Sequence, residues 1–201
     1  MLTDQLHTTR VLSRRVRVLA GHLATVVPAG ADLLDVGCGD GQVAQLLHEQ
    51  RPDVHIAGVD VLARAQTAFP VALFDGRTLP AADGTKDAVM FVDVLHHTAD
   101  PTILLREAVR VSRRWIILKD HCRDGWGAEA TLRFMDRVGN ARYGVALPYN
   151  YWAEPQWQAA WEAMNLRPVR TIHSLRLYPA WADWIFGRRL HFITLLEKRA
   201  P

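Results

Sequence analysis

The sequence predicts an α/β fold in which a mostly parallel sheet is covered by helices on both faces. Five short apolar runs recur between residues 33 and 118, and helical patterns separate most of them. Strands that are apolar along nearly their whole length are typical of parallel sheets buried on both faces. A chain of 201 residues fits one domain with a single sizeable core.

The first part of the chain alternates strands with helices. Apolar residues at helical spacing predict the first helix, and Pro28 and Gly30 end it. Each strand is a short, mostly apolar run, and the first of them ends at glycines. In chain order, the predicted elements are a helix over 11–27, a strand over 33–36, a helix over 42–49, strands over 55–60, 71–74 and 88–92, a helix over 102–111 and a strand over 115–118.

After Lys119 the alternation breaks. Two more helices, over 129–138 and 155–164, flank an aromatic loop, and two strand-like runs over 169–177 and 190–196 close the chain. Residues 178–187 join these runs and are unusually apolar for a solvated loop. We expect that connection to cover a pocket, a partner or a bilayer surface.

The composition argues against nucleic acid and against a membrane span. Lys and Arg number 24 against 21 Asp and Glu, and this excess of +3 is not clustered as a nucleic-acid interface requires. No apolar run approaches the roughly 18 residues of a membrane helix, and the first residues mix Arg into every turn, unlike a secretory signal. Cys38 and Cys122 are too few for a disulfide framework or a Cys-rich zinc site. We therefore expect a cytoplasmic protein.

Aromatic residues are concentrated in the second half. All seven Trp and all four Tyr lie at or beyond Trp115. Aromatic faces bind flat rings and stabilise cations, although they also serve as ordinary packing of a cap onto the sheet. The candidate substrate contacts are Tyr149, Tyr151, Trp152, Trp181 and Trp184.

A glycine-rich turn follows the first strand. Gly37, Gly39 and Gly41 would let the backbone approach a ligand closely, and the helix that follows offers free N–H donors. Asp60 lies 19 residues after Gly41, at the end of the second strand, where a carboxylate can accept both hydrogen bonds of a ribose diol. The alternatives are a tight strand-to-helix turn and a helix N-cap.

The glycine spacing disfavours a dinucleotide. A G-x-G-x-x-G fingerprint needs glycine at position 42, where the chain has Gln42. Asp35, just before the glycines, is poorly placed against a pyrophosphate but well placed to orient a cationic amine.

Five stretches together resemble the class I S-adenosylmethionine-dependent methyltransferases, especially the small bacterial type 11 group that includes the quinone-biosynthesis methylases. They occur in family order between residues 33 and 118. The stretches are LLDVGCGDG at 33–41, GVD at 58–60, DGRTLP at 75–80, DAVMFVDVLHH at 87–97, and DP with LREAVRV at 100–111. One departure is Val111-Ser112-Arg113-Arg114-Trp115, where the family commonly has a Pro-Gly-Gly turn.

The resemblance implies a Rossmann-like sheet of seven mostly parallel strands, the last antiparallel, with a helical and loop cap after strand five. It implies a single domain over 1–201, with an N-terminal helix over 1–28, a cofactor-binding core over 29–123, a cap over 124–153, and a C-terminal helix and strands over 154–201. Around S-adenosyl-L-methionine it places Asp35, Gly37, Cys38, Gly39, Gly41, Asp60, Val61, Asp75, Gly76, Val92 and Asp93. Among these, Asp60 would hold the ribose and Asp75 would face the adenine amino group.

Methyl transfer mainly requires that nucleophile, methyl and sulfur be aligned, and a base is needed only for a weakly acidic nucleophile. The candidate catalytic residues are His97, which faces the transferred methyl in related enzymes, together with His121 and Asp93. Each could instead be a wall or capping residue. A metal site at these residues and His96 is not expected, because adjacent histidines usually point apart. Lys119 is expected to be a charge at a helix end or a sheet end. Arg14, Arg15 and Arg17 are expected to form a solvated helix face, although the resemblance also allows an N-terminal helix that closes over the cofactor.

The sequence thus predicts an S-adenosylmethionine-dependent methyltransferase that releases S-adenosyl-L-homocysteine. The acceptor is a small, aromatic or lipophilic molecule methylated on O, N or C. Two other classes stay open. One is an NAD-dependent oxidoreductase, and the other is a non-catalytic binder of an S-adenosyl ligand whose loop at 178–187 docks a partner or contacts a membrane peripherally.

Overall fold

The computed structural model describes residues 14–140 and 147–199. In that part of the chain, seven strands form one sheet in the order β3-β2-β1-β4-β5-β7-β6. The strands are β1 (Asp32–Val36), β2 (His55–Asp60), β3 (Val71–Leu73), β4 (Lys86–Val92), β5 (Ser112–His121), β6 (Leu166–Ile172) and β7 (His191–Lys198). The helices are α1 (residues 14–24), α2 (Gln42–Gln50), α3 (Pro101–Val111), α4 (Ala128–Asn140), α5 (Glu154–Ala163) and α6 (Ala180–Phe186), with a single 3₁₀ turn at Leu95–His97.

The topology confirms the predicted Rossmann-like α/β fold. Strands β1 to β5 pair in parallel, and β7 pairs antiparallel with both β5 and β6. The chain moves from β1 outward through β2 to β3 and then returns to place β4 on the other side of β1. Such a switch point leaves a crevice at the carboxyl ends of β1 and β4, where open α/β sheets bind ligands.

Helices cover both faces of the sheet. On one face Leu19 and Leu23 of α1 and Leu47 of α2 are buried in a cluster with residues of β1, β4, β5 and β7. On the other face Leu105 of α3 and Trp157 of α5 are buried against the opposite sides of the same strands. This double cover explains why the central strands are apolar along nearly their whole length.

Helix α3 shows how local sequence fixes an element beside the crevice. Its N-cap, Asp100, accepts a hydrogen bond from the Thr102 N–H at 2.9 Å, and Pro101 occupies the first helical turn. A proline is tolerated there because its missing N–H would have no partner within the helix. The residues buried on its inner face recur at helical spacing, namely Leu104, Leu105, Ala108 and Val111.

The structure differs from the sequence prediction mainly after Leu118. Strand β5 continues through three buried polar residues to His121, and residues 180–186, predicted as part of a loop, form helix α6. Strand β6 lies at 166–172 instead of 169–177, and the apolar residues Leu175 and Leu177 pack beneath α1. Positions 11–13 of the predicted first helix lie outside the described residues.

None of the helices in the described part of the chain is both long and apolar enough to cross a membrane.

Truncating the α3 contact should destabilise the fold. Leu105 is fully buried, so Leu105→Ala should lower the free energy of unfolding by about 2–5 kcal/mol. Val138→Ala, at a position 64% exposed, should change it by less than about 0.5 kcal/mol. Urea titration of both variants measures the difference, and equal effects would contradict the assigned packing.

Candidate active site

The turn after β1 holds three glycines in left-handed backbone conformations. Gly37, Gly39 and Gly41 have φ angles of +71°, +62° and +77°, which other residues rarely adopt. A Cβ on Gly37 would lie 2.5 Å from Val94 Cγ2, whereas one on Gly39 would have no neighbouring atom within 4 Å. The turn is therefore packed closely against Val94 and leaves open space beside Gly39.

Asp60, at the end of β2, ties this turn to the second strand. One of its carboxylate oxygens accepts a hydrogen bond from the Gly39 N–H at 2.7 Å, and the other accepts one from the Leu62 N–H at 2.8 Å. A carboxylate oxygen has two lone pairs, so each can accept a second donor. Asp60 therefore shapes the turn and keeps the capacity to bind hydroxyl groups.

Asp35 is a buried carboxyl group at the base of the turn. Its Oδ1 has no hydrogen-bond partner within the described residues. Burial, together with the nearby negative charge of Asp60, raises the pKa of Asp35 to about 7. A carboxyl group that is buried and incompletely bonded is costly, and a cationic donor would relieve this cost.

A cavity of about 590 Å³ opens beside the glycine turn, and its volume is typical of small-molecule sites. Six residues of the predicted cofactor set line it, namely Gly37, Gly39, Asp60, Val61, Gly76 and Asp93. The wall continues through His97 and the start of α3. The cavity therefore joins the glycine turn to the polar residues that follow β4.

The other five members of that set are not among the lining residues: Asp35, Cys38, Gly41, Asp75 and Val92. Cys38 packs against β2, where its Sγ would be 2.9 Å from a Cβ on Gly58, and burial raises the pKa of its thiol to about 12. Asp75 shapes its own turn by accepting hydrogen bonds from the N–H groups of Arg77 and Thr78. These residues support the cavity wall or lie beside it.

Asp93, directly after β4, carries the main charge at the cavity wall. Its carboxylate forms ion pairs with Lys119 of β5 and, at 2.6 Å, with Arg15 of α1. Burial alone would raise the pKa of Asp93, but these two cations hold it well below its usual value. Asp93 is therefore a fixed negative charge at neutral pH.

The expectation of a solvated helix face was wrong for Arg15, and Lys119 lies near the sheet end as a buried charge. Lys119 is fully buried in β5, beside Val92 at the end of β4, and its Nζ lies 3.3 Å from His191 Nδ1. Arg15 is half-buried against Asp93, whereas Arg14 and Arg17 are exposed as expected. Their roles depend on contacts between distant segments, which no local pattern reveals.

A cluster of histidines lies behind Asp93. His96 Nδ1 is 2.7 Å from Asp120 Oδ1, and the His96 ring lies 4.1 Å from that of His97 and 4.5 Å from that of His121. The expectation that the adjacent histidines point apart was therefore wrong. Burial alone would lower the pKa of His96, but the nearby carboxylates of Asp120 and Asp136 raise it to about 10.

Asp136 completes this cluster from helix α4. Its Oδ1 lies 3.6 Å from His96 Nε2 and 3.9 Å from His97 Nε2, and its Oδ2 accepts a hydrogen bond from the Tyr151 hydroxyl at 2.6 Å. Sequence reasoning missed Asp136, although a signal existed. It shares the buried face of α4 with Ala128 and Leu132 at intervals of four residues, and a lone carboxylate on an apolar stripe is unusual.

The three candidate catalytic residues differ in their access to the cavity. Asp93 and His97 line it, whereas His121 is buried beneath them and is not among the lining residues. Burial and the charge of His96 lower the pKa of His97, and burial together with Lys119 lowers that of His121 well below its usual value. Both imidazoles are therefore neutral at neutral pH.

The five candidate substrate contacts do not line the cavity described above. Tyr151 is buried beside His96, and Trp152 packs against Trp157 at 4.8 Å between ring centres. Tyr149 lies beneath the guanidinium of Arg133 at 5.2 Å. By contrast, Trp181 and Trp184 of α6 are 71% and 79% exposed. The structure thus separates these residues into an inner group and a surface group.

A second cavity of about 620 Å³ lies along α5 and the edge strand β6. Trp157, Trp161 and Phe192 form its apolar wall, and Arg188 and Arg189 contribute positive charge. Its lining includes no residue of the glycine turn or of the histidine cluster.

The family model for a methyltransferase domain matches residues 34–115. This segment of the chain is therefore similar to methyltransferase domains. The glycine turn, Asp60, Asp93 and His97 all lie within it, whereas Arg15, Lys119 and Asp136 lie outside. A methyltransferase of Aquifex aeolicus, described as SAM-dependent, has a TM-score of 0.62 at 15% identity, over 95% of this chain and 98% of that one.

Curated methyltransferases are similar to part of this chain. The 27-O-demethylrifamycin SV methyltransferase of Amycolatopsis mediterranei is 34% identical over 119 residues, which cover 53% of this chain and 41% of the relative. The ubiquinone/menaquinone biosynthesis C-methyltransferase UbiE of Desulfotalea psychrophila is 31% identical over 93 residues, which cover 42% and 38%. The chain spans less than half the length of the curated relatives it matches.

Solved structures extend the similarity of fold beyond the methyltransferase domain. A methyltransferase of Thermotoga maritima, described as a possible histamine N-methyltransferase, has a TM-score of 0.66 at 15% identity. The superposition covers 98% of this chain and 96% of that one. At this identity the likeness concerns the fold alone.

A methyl group at position 39 tests whether the open space in the methyltransferase domain receives the cofactor. Gly39→Ala should weaken S-adenosylmethionine binding at least about tenfold, because its Cβ enters that space. Gly30→Ala is a matched control, since Gly30 has a φ of +65° and equally open surroundings but precedes β1 at the opposite end of that strand. Isothermal titration calorimetry should show loss for the first variant alone, and equal losses would contradict the assignment.

Proposed function

We propose that the chain transfers a methyl group from S-adenosyl-L-methionine to O, N or C of a small, aromatic or lipophilic acceptor. The observation that carries this proposal is a single cavity that joins the glycine turn to Asp93 and His97. When bound, the cofactor supplies an electrophilic methyl group on a positively charged sulfur. The chain must then align an acceptor with it and exclude competing water.

The residues of the glycine turn fit this cofactor. Asp35 would pair with the ammonium of its methionine part, which would complete the bonding of Oδ1. Asp60 would accept hydrogen bonds from the ribose hydroxyls while keeping its bonds to Gly39 and Leu62. Asp75 would face the adenine amino group from the exposed turn after β3, and Gly39 would allow close approach of the backbone.

At the reacting end, His97 would contact the acceptor or take its proton. It lines the cavity and is neutral, so its lone pair can act as a base where the acceptor is a hydroxyl or a carbon acid. Asp93, which is held by its ion pairs with Lys119 and Arg15, would form a fixed part of the wall beside the reacting sulfur. His121 would act as a positioning residue beneath them.

The cap over 124–153, which contains α4, would enclose the acceptor together with Tyr149, Tyr151 and Trp152. Trp181 and Trp184, which are exposed on the protein surface, would contact a lipophilic acceptor, a partner or the surface of a membrane. The relatives named above include one that acts on an oxygen and one on a carbon, as their names state. We also propose a cytoplasmic location, because two cysteines form no disulfide framework.

The pKa of Asp35 gives the proposed cofactor contact a pH dependence. Asp35 is largely protonated below its pKa of about 7, and an ammonium group pairs only with the ionised form. The affinity for S-adenosylmethionine should therefore rise about tenfold or more from about pH 5.5 to about pH 7.5. Calorimetric titrations across this range should show the rise in the natural chain. The rise should disappear in Asp35→Asn, and a flat profile in the natural chain would contradict the contact.

Transfer itself is tested with a donor labelled in its methyl group. Purified chain incubated with this donor and fractionated small molecules from bacterial cells should yield a labelled product and S-adenosylhomocysteine. Asp60→Ala should abolish both, because it removes the ribose contact, while thermal unfolding shows that the fold is retained. Binding of the donor without product from any fraction would instead indicate a non-catalytic binder.

A further inference from the structure

The side chains of the histidine cluster place three potential metal ligands together. His96 Nε2 lies 3.6 Å from Asp136 Oδ1, and His97 Nε2 lies 3.9 Å from the same oxygen. One potential ligand atom from each of the three residues lies within 4.8 Å of those from the other two. A tetrahedral ion with bonds of about 2.0–2.2 Å would separate its ligands by about 3.4 Å, so small side-chain shifts would suffice to close around an ion.

A second observation concerns the orientation of His96. Its Nδ1 bonds to Asp120 Oδ1 at 2.7 Å, so its Nε2 faces Asp136. His96 is 1% exposed, and Nε2 has no hydrogen-bond partner within the described residues. A histidine whose other ring nitrogen bonds a carboxylate is the usual arrangement of a metal ligand.

The carboxylate ligand is supported in the same way. Asp136 Oδ2 accepts a hydrogen bond from the Tyr151 hydroxyl at 2.6 Å, which leaves Oδ1 on the side of the two histidines. Tyr151 itself is buried, and its hydroxyl oxygen also lies 3.2 Å from the Leu132 carbonyl oxygen. Two of the three ligand residues are therefore held by buried polar partners, as in established metal sites.

We propose that His96 Nε2, His97 Nε2 and Asp136 Oδ1 form a site for a divalent first-row transition ion. Two imidazoles and one carboxylate suit zinc, iron(II) or cobalt(II) rather than calcium or magnesium. Three protein ligands leave at least one coordination position open, which distinguishes a reactive site from a structural one. Because ligands bind in their deprotonated form, the ion would displace a proton from His96.

The ion would lie at the wall of the cofactor cavity, since His97 lines it. An acceptor oxygen bound at the open position would ionise more readily and release its proton to water. The His97 lone pair cannot bind the ion and accept a proton at the same time. With the ion bound, the ion rather than His97 would therefore activate the acceptor. This last step depends on the proposed methyl transfer, whereas binding of the ion does not.

Calorimetry with the full chain, prepared without a histidine tag and treated with a chelator, tests the site. Titration with Zn²⁺ should show one ion per chain, and Co²⁺ should give visible absorption bands of a nitrogen and oxygen site. His97→Gln should weaken Zn²⁺ binding at least about 100-fold, and the matched control His55→Gln, at an exposed position outside the cluster, should leave it unchanged.

Tyr151→Phe tests the site without removing a ligand. Loss of its bond to Asp136 should weaken Zn²⁺ binding about 10- to 100-fold, and thermal unfolding reports whether each variant keeps its fold. No binding by the natural chain, or equal affinities in all three variants, would overturn the proposal. S-adenosylmethionine binding, measured in parallel without Zn²⁺, fails only if the proposed function fails, so the two outcomes are distinguishable.

Discussion

The buried ion pair between Lys119 and Asp93 is the contact on which the arrangement of the site depends. Each charge would cost several kcal/mol to bury alone, so removal of either partner from such a pair typically costs about 3–5 kcal/mol. Asp93 also has a φ of +58°, a strained conformation that persists only where surroundings impose it. The pair fixes the end of β4 against β5, and Arg15 attaches helix α1 to the same carboxylate.

The two ends of the cavity use charge in opposite ways. At the glycine turn, Asp35 and Asp60 repel each other, and Asp35 is incompletely bonded. The arrangement at this end is electrostatically unfavourable without a ligand, and a bound cation would reduce the repulsion. At the other end, Asp93 and Asp120 are each paired with cationic groups or with histidines, so the geometry is fixed before any ligand arrives.

The sequence predicted the elements of the first half well because their patterns are local. Strand β2 has the predicted bounds, and β1 differs by one residue, since apolar runs between turns define both. The polar end of β5 was missed because Lys119 and Asp120 look solvated until their partners are known. Helix α6 was missed because it is short and its tryptophans are exposed. The contacts of Arg15 and Asp136 were missed because their partners are distant in sequence, 78 and about 40 residues away.

The boundary of the family match separates the cavity lining from the side chains behind it, because every lining residue lies between 37 and 104. Residues 34–115 supply the glycine turn, Asp60 and His97, but β5 beyond Trp115, helix α4 and Tyr151 lie outside that segment. The side chains that hold Asp93 and the histidine cluster in place therefore lie outside the matched segment, namely Arg15, Lys119, Asp120 and Asp136. Two proteins alike over the matched segment can therefore hold the same lining residues with different supporting side chains, and so differ in the charge behind the cavity wall.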